Sequence, residues 1–247
     1  MGRDAARPGS LCGQERVRQE MYRYMGCGGA APAPEVASEA EQCLSELRAS
    51  VEPKTVWRRF PLEFPGEGTV RIEGMEIRSS ALFRNLAGCR EVFLMGATLG
   101  LSPDRMTARA QAAGKVSRAV MIQAAAAALI EEVCDELNEQ LRLEAARENK
   151  TLRPRFSPGY GDFSLEHQRG LFRILELQKR IGVTLTEHLL MMPSKSVTAV
   201  IGISDVPPDT LYGKRGDEQE SGCDACGRVD CSFRKSTREE ACERSHA

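Results

Sequence analysis

Arg155-Phe156-Ser157-Pro158-Gly159-Tyr160 can be neither helix nor interior strand. Pro158 fixes its own φ and turns Ser157 away from helix. Gly159 supplies a backbone position with no Cβ in the way of an approaching molecule. A cation, a phenol and bare loop backbone therefore fall within one short stretch. A guanidinium grips a carboxylate through two parallel hydrogen bonds. An aromatic face lies well against a sulfonium or a flat ring. The stretch thus suits a cationic ligand that carries an amino-acid group. The plainer alternative is a Pro-Gly turn with a surface arginine and a half-buried tyrosine.

The residues downstream come in a particular order. Asp162-Phe163-Ser164 leads into residues 165–180, whose apolar positions recur at helical spacing. Ile181-Gly182-Val183-Thr184-Leu185-Thr186-Glu187 follows, then Met191-Met192-Pro193-Ser194-Lys195-Ser196-Val197. The order RxxxGY, amphipathic helix, IGVxLTE, MxPxxSV resembles the activation domain of cobalamin-dependent methionine synthase. It is most similar to stand-alone relatives of that domain, which share SPGYGDF and PSKSVTA. The resemblance extends over roughly residues 15–205.

The resemblance implies a curved, mainly antiparallel sheet with packed helices, and binding of S-adenosylmethionine. It implies remethylation of an oxidised cob(II)alamin, with an electron from an external donor. Arg155 and Tyr160 match the family's ligand-binding RxxxGY, and Ser157, Pro158 and Gly159 lie between them. Glu187 follows Leu-Thr as in the family and is expected near ligand or loop. Ser194, Lys195 and Ser196 form a turn whose hydroxyls and N–H groups suit a carboxylate or phosphate. One departure stands out. Family members carry aromatic residues after SVSG, one a tyrosine that touches ligand. Here Ser196-Val197-Thr198-Ala199 runs into Val200-Ile201-Gly202-Ile203, so that contact is absent or made by another residue.

Composition is that of a soluble globular protein: 247 residues, 41% hydrophobic, 28% charged and a net charge of −1. Near-neutrality gives no reason to expect a nucleic-acid partner. No apolar stretch is long enough for a signal peptide core or a membrane span, so the expected location is cytoplasmic. Nine cysteines in that setting are expected as thiols or metal ligands rather than disulfides.

Hydrophobic patterning predicts α+β structure without βαβ repeats. Residues 1–14 read as a disordered terminus, 15–205 as the activation-like domain, and 206–247 as a linker with a cysteine-rich tail. Helices are expected over 17–25 and 35–51, with a loop over 27–34. Residues 55–64 read as a strand that Pro61 confines to an edge or a bulge. Residues 69–77 read as a hairpin, Ser79 or Ser80 as a helix cap, and 91–97 as a buried central strand. The resemblance implies that the Thr98-Leu99-Gly100 turn faces the ligand region; the alternative is a tight strand-to-helix turn with a satisfied hydroxyl. From 104 to 149 the chain reads helical, divided at Gly114 and Ala-rich over 124–128. The acidic set Glu131, Glu132, Asp135 and Glu136 reads as a solvated face. Ser164 is expected to cap a helix with Leu171, Ile174, Leu175 and Gln178 on one face, ending at Gly182. Residues 183–186 and 196–203 are expected as strands.

Cys223, Cys226, Cys231 and Cys242 crowd the last residues. Four thiolates suffice for one tetrahedral zinc or one iron–sulfur cluster, and a CxxC pair reaches one ion across a tight turn. The alternative is a tail of reduced thiols. His167 and His188 lie near the motif and are expected as ordinary core or surface histidines. There is no GxGxxG and no GxxxxGK[ST]. No cobalamin-carrying DxHxxG occurs either, so the corrinoid is expected on a partner, a methionine synthase or related corrinoid protein. Two rival functions remain: a non-catalytic module that docks on a corrinoid protein, and a redox activator that works through the cysteine tail.

Overall fold

The computed structural model describes residues 11–27 and 32–205. They divide into two compact units: residues 53–98 with 134–205, and residues 11–52 with 99–133. The first is built on a six-stranded sheet. Its strands are β1 (Lys54–Gly66), β2 (Thr69–Ile72), β3 (Met75–Arg78), β4 (Cys89–Thr98), β5 (Thr151–Leu152) and β8 (Ser196–Ser204). They lie in the order β3-β2-β1-β4-β8-β5, with every pairing antiparallel. This is the α+β architecture that the sequence predicts.

Strand β4 is the centre of the sheet, paired along its length with β1 and β8. Both its faces are buried, which is why EVFLMGA has no alternation. One face carries Val92 and Leu94 beside Phe60, Val56 and Val200. Leu82, Leu86, Phe163, Leu171, Leu175, Leu177 and Val183 complete that core. The other face carries Phe93 and Met95 beside Ala199 and Ile201, all buried. Trp57 meets Phe93 edge-on at 5.3 Å on that face.

Pro61 does not sit on an edge strand, because β1 lies between β2 and β4. Residues 54–61 pair with β4, whereas pairing with β2 begins at Leu62. The missing N–H therefore falls where the strand changes partners, and Pro61 is tolerated there. The hairpin β2–β3 forms as expected, turning through Glu73 and Gly74, both at positive φ.

Helix α3 (Ser80–Asn85) is capped by Ser79, whose Oγ accepts from the Leu82 N–H at 3.1 Å. A 3₁₀ turn (Leu165–His167), in which Ser164 Oγ accepts from Glu166 N–H, leads into α6 (Gln168–Leu175). The single helix expected to run on to Gly182 instead breaks at Glu176, which adopts φ +53. Helix α7 (Leu177–Ile181) then resumes and ends at Gly182, φ +73. The break costs about 1–2 kcal/mol for a non-glycine left-handed residue. It brings Leu177 and Ile181 into the core in place of Gln178, which is exposed. Burying one such side chain contributes ~1.5–3 kcal/mol, enough to offset the strain. Gly96 on β4 makes the room: a Cβ there would lie 2.5 Å from Leu177 Cδ2. Arg58 Nη1 donates to the Ile174 carbonyl at 3.0 Å, serving one of the acceptors left over at the end of α6.

The expected strand at 183–186 shortens to β6 (Thr184–Leu185). It pairs with β7 (Met191–Met192) in a separate two-stranded ribbon rather than with β8. Local alternation gives no partner, and Pro193 follows β7 at once.

The second unit contains α1 (Leu11–Tyr24), α2 (Pro34–Ser50), α4 (Ser102–Ala112) and residues 116–133 of α5 (Val116–Ala146). The break at Gly114, φ +73, falls where expected. Helix α5 has 31 residues, about 46 Å at 1.5 Å per residue. Helix α2 is pinned by Glu41, which pairs with Arg18 and accepts from Tyr22 Oη at 3.1 Å. Its Arg48 and Glu46 pair with Glu132 and Arg118 of α5. No helix among the described residues is long and apolar enough to cross a membrane.

Candidate functional site

The site begins at the sheet edge. After β5 the chain keeps close to β8: Arg153 N–H donates to the Gly202 carbonyl, and Phe156 exchanges two hydrogen bonds of 2.9 Å with Val200. Residues expected as plain loop thus extend the sheet by a short strand and a bridge. Arg155 is held between those anchors. Its Nη2 lies 2.8 Å from Asp135 Oδ1 on α5, with both side chains partly exposed. Glu132 is likewise paired, with Arg48, and burial pushes its carboxyl up. The acidic set of α5 is therefore not a freely solvated face. These carboxylates meet arginines distant in sequence, which helical spacing alone does not show.

Past Phe156 the chain folds into a compact turn. Tyr160 N–H donates to the Ser157 carbonyl at 3.2 Å, and Phe163 N–H to the Tyr160 carbonyl at 3.0 Å. Gly159 N–H closes it on the Phe163 carbonyl at 2.7 Å. Gly159 and Gly161 stand at φ +99 and +55, conformations that favour glycine. Pro158 is buried and Ser157 half-buried, whereas Gly159 and Tyr160 face solvent. Tyr160 is 67% exposed. Its ring lies 6.3 Å from that of Phe156, which in turn stacks on the buried Phe163 at 6.3 Å.

The turn is fastened by a residue that sequence reasoning passed over. Asp162 Oδ1 accepts from Ser79 Oγ at 2.5 Å and from Ala81 N–H at 3.0 Å. Its Oδ2 accepts from Ser80 N–H at 2.7 Å. These donors, the Ser79 hydroxyl first, hold the Asp162 carboxyl down at about 2. The available signal was the helix cap at Ser79, which presents N–H groups to any nearby carboxylate.

The second group of expected residues lies in the turn before β8. Pro193 follows a cis peptide bond, Ser194 is exposed, Lys195 is half-buried and Ser196 is buried. Ser196 Oγ lies 2.8 Å from both Thr98 Oγ1 and the Pro193 carbonyl. Thr98 Oγ1 also reaches the Lys195 carbonyl at 3.4 Å. The Thr98 hydroxyl is thus satisfied within the fold, one of the two alternatives its sequence context allows. Glu187 is exposed in the β6–β7 turn, where its backbone carbonyl accepts from Arg169 Nη2 at 3.3 Å. The structure therefore gathers Arg155, Ser157, Pro158, Gly159 and Tyr160 at one place. Ser194, Lys195 and Ser196 form a second turn, and Glu187 a third.

His167 is half-buried against Phe163, with ring centres 5.5 Å apart, and burial lowers its pKa. His188 is exposed. The position after Ser196-Val197 that bears aromatic residues in the family is filled by Val200 and Ile201, both fully buried in β8. Phe156 is bridged to Val200, and the Tyr160 ring lies 6.3 Å from that of Phe156. Cys223, Cys226, Cys231 and Cys242 lie outside the described residues. Among the described residues, no group of three or more His, Cys, Asp or Glu side chains could hold a metal ion.

No curated protein matches the chain significantly. A solved structure, "Crystal Structure of the MetH Reactivation Domain bound to AdoHcy", is similar with a TM-score of 0.55 and 18% identity. The match covers 78% of this chain and 76% of that one, and at this identity it speaks for the fold. Residues 90–208 match the family model of the vitamin B12 dependent methionine synthase activation domain. That segment contains β4, the Arg155–Tyr160 stretch with its turn, the β6–β7 ribbon and β8. Fold and sequence pattern agree, and residues 90–208 belong to the family of vitamin B12 dependent methionine synthase activation domains.

Proposed function

We propose that this protein binds S-adenosylmethionine at the Arg155–Tyr160 loop and uses it to reactivate a cobalamin carried by a partner. The partner is a cobalamin-dependent methionine synthase or a related corrinoid methyltransferase. The observation that carries the reading is a partly exposed guanidinium next to Phe156, which two backbone hydrogen bonds tie to the sheet edge, followed by an exposed phenol on a turn with two left-handed glycines. The residues fit the ligand. Arg155 offers donors for its carboxylate, and Tyr160 offers an aromatic face for its sulfonium or adenine. The bare backbone at Gly159 lets a flat group approach.

S-adenosylmethionine supplies the methyl group, an external donor supplies one electron, and the partner's corrinoid accepts both, leaving S-adenosylhomocysteine. The chain itself contributes placement, which is the main catalytic term when two bound reactants must meet in line. Arg155 fixes the amino-acid end. Tyr160, projecting from the turn, orders the sulfonium region and contacts the corrin face. Asp162 keeps the turn from drifting. Ser194 and Lys195 contribute polar groups from the turn before β8, Ser196 holds that turn together, and Glu187 borders the ligand from the ribbon.

Calorimetry with S-adenosylmethionine tests the reading directly. Heat at micromolar to millimolar ligand, with a melting temperature that rises with ligand, is expected. Absence of both overturns it. Methyl transfer to an added corrinoid protein, in the presence of a reductant, separates reactivation from simple docking. The cysteine tail is a separate expectation resting on spacing alone. Elemental analysis of the full chain, with Cys223→Ser and Cys226→Ser, decides whether zinc or iron is bound there.

A further inference from the structure

We propose that Asp135 is the second half of a clamp for a zwitterionic amino acid, binding the ligand's α-ammonium while Arg155 binds its α-carboxylate. The inference rests on the reading of the Arg155 loop as the ligand site. Arg155 Nη2 lies 2.8 Å from Asp135 Oδ1. Neither is sealed in: relative exposures are 23% for Arg155 and 38% for Asp135. A partly exposed ion pair of this kind contributes little to stability. Its worth to the fold does not account for the placement of both charges beside the candidate ligand turn.

An α-amino acid carries its two charges on one carbon, a carboxylate next to an ammonium. A cation and an anion held side by side on the protein match that pattern in reverse. A guanidinium has five donors and a carboxylate about four acceptor positions, so each group can serve more than one partner. The ligand's carboxylate and ammonium then pair with these same two groups. The supports are rigid for this purpose. Asp135 stands on the long helix α5 between Cys134 and Leu137, both buried. Arg155 lies between two backbone anchors to β8. Such a clamp selects for the free amino acid end, rejecting analogues that lack either charge. A ligand with a sulfonium, an ammonium and a carboxylate is also a net cation, which a carboxylate at the site favours.

The test is calorimetry on the full chain with four probes: S-adenosylmethionine, its decarboxylated form, its deaminated 2-oxo form, and methylthioadenosine. The parent should bind S-adenosylmethionine at least about tenfold more tightly than the deaminated form, since a charge-assisted contact is lost. Asp135→Asn should lose a similar factor toward S-adenosylmethionine and almost none toward the deaminated form. Asp135→Glu should restore much of it. Equal binding of S-adenosylmethionine and its deaminated form by the parent overturns the clamp, and needs no variant to fold. So does Asp135→Asn binding as tightly as the parent or more tightly, which would make Asp135 a mere competitor for Arg155. In either case, a loss on Arg155→Gln leaves the ligand site standing. If Arg155→Gln and Asp135→Asn both leave affinity unchanged, the site reading fails and takes the clamp with it.

Discussion

Two turns of the same unit were expected to serve a ligand, and they have been built in opposite ways. In the turn at 157–163 the backbone satisfies itself, one carboxylate ties it to a helix N-terminus, and the Tyr160 side chain points out. In the turn at 193–196 the Ser196 hydroxyl points in. Ser196 is buried, and its Oγ reaches Thr98 and the Pro193 carbonyl. The first turn keeps its chemistry for solvent or ligand. The second spends the Ser196 hydroxyl on joining the start of β8 to the end of β4. Burial thus divides the two turns, and on the proposed function the exposed one serves recognition and the buried hydroxyl serves support.

That contrast can be broken by mutation. The largest effect is expected at Arg155. Truncating one partner of a charge-assisted pair costs ~2–5 kcal/mol, so Arg155→Ala should weaken S-adenosylmethionine by about 30-fold or more. Lysine there should restore only part, since an ammonium lacks the planar fork. Chemical denaturation should show a fold close to the parent's. A folded Arg155→Ala that binds as the parent does would remove the first turn from the recognition side.

Ser196→Ala should do the reverse. It removes a buried hydroxyl and leaves its partners short, a loss of ~1–2 kcal/mol in unfolding free energy. A change in affinity without a change in stability would place Ser196 with the recognition residues after all.

Asp162 sharpens the contrast through pH. Its folded pKa, about 2, lies below the usual carboxylate value near 3.9. A depressed carboxyl stabilises the fold above its unfolded pKa, and that contribution is lost as pH falls toward the folded value. The gap in melting temperature between the parent and Asp162→Asn should therefore be full above pH ~4 and close as pH falls toward 2. A gap that persists at pH 2 would show that the hydrogen-bond pattern, not the charge, fastens the turn.

The smallest stability effect is expected at Tyr160. With its ring 67% exposed, Tyr160→Ala should stay within ~0.5 kcal/mol of the parent. Methyl transfer should fall more than affinity. A large loss of stability would mean that the tilted contact with Phe156 supports the core rather than the ligand.

The sequence alone determined a good deal. EVFLMGA reads as a buried central strand, and it is the centre of the sheet. Ser79 could cap α3, Gly114 could divide two helices, and Pro158-Gly159 could only turn. These outcomes rest on φ restriction, side-chain period and local hydrogen bonds, all of which act within a few residues. The ordered motifs from Arg155 to Val197 carried the family for the same reason, since each is a local shape with a local sequence.

The tertiary structure decided what depends on a partner remote in the chain. Pro61 found its place because β1 changes neighbours there. Glu176 broke a helix because Leu177 had a berth over Gly96, eighty-one positions earlier in the chain. Residues 151–156 joined the edge of β8, and β6 paired with β7 in a ribbon of its own. Asp135 met Arg155, and Asp162 met Ser79, through contacts that no spacing encodes. Local preference is a matter of about 1 kcal/mol per residue, whereas burying a leucine or leaving a buried polar group unpaired amounts to ~1–3 kcal/mol, so at these positions the distant contact prevailed.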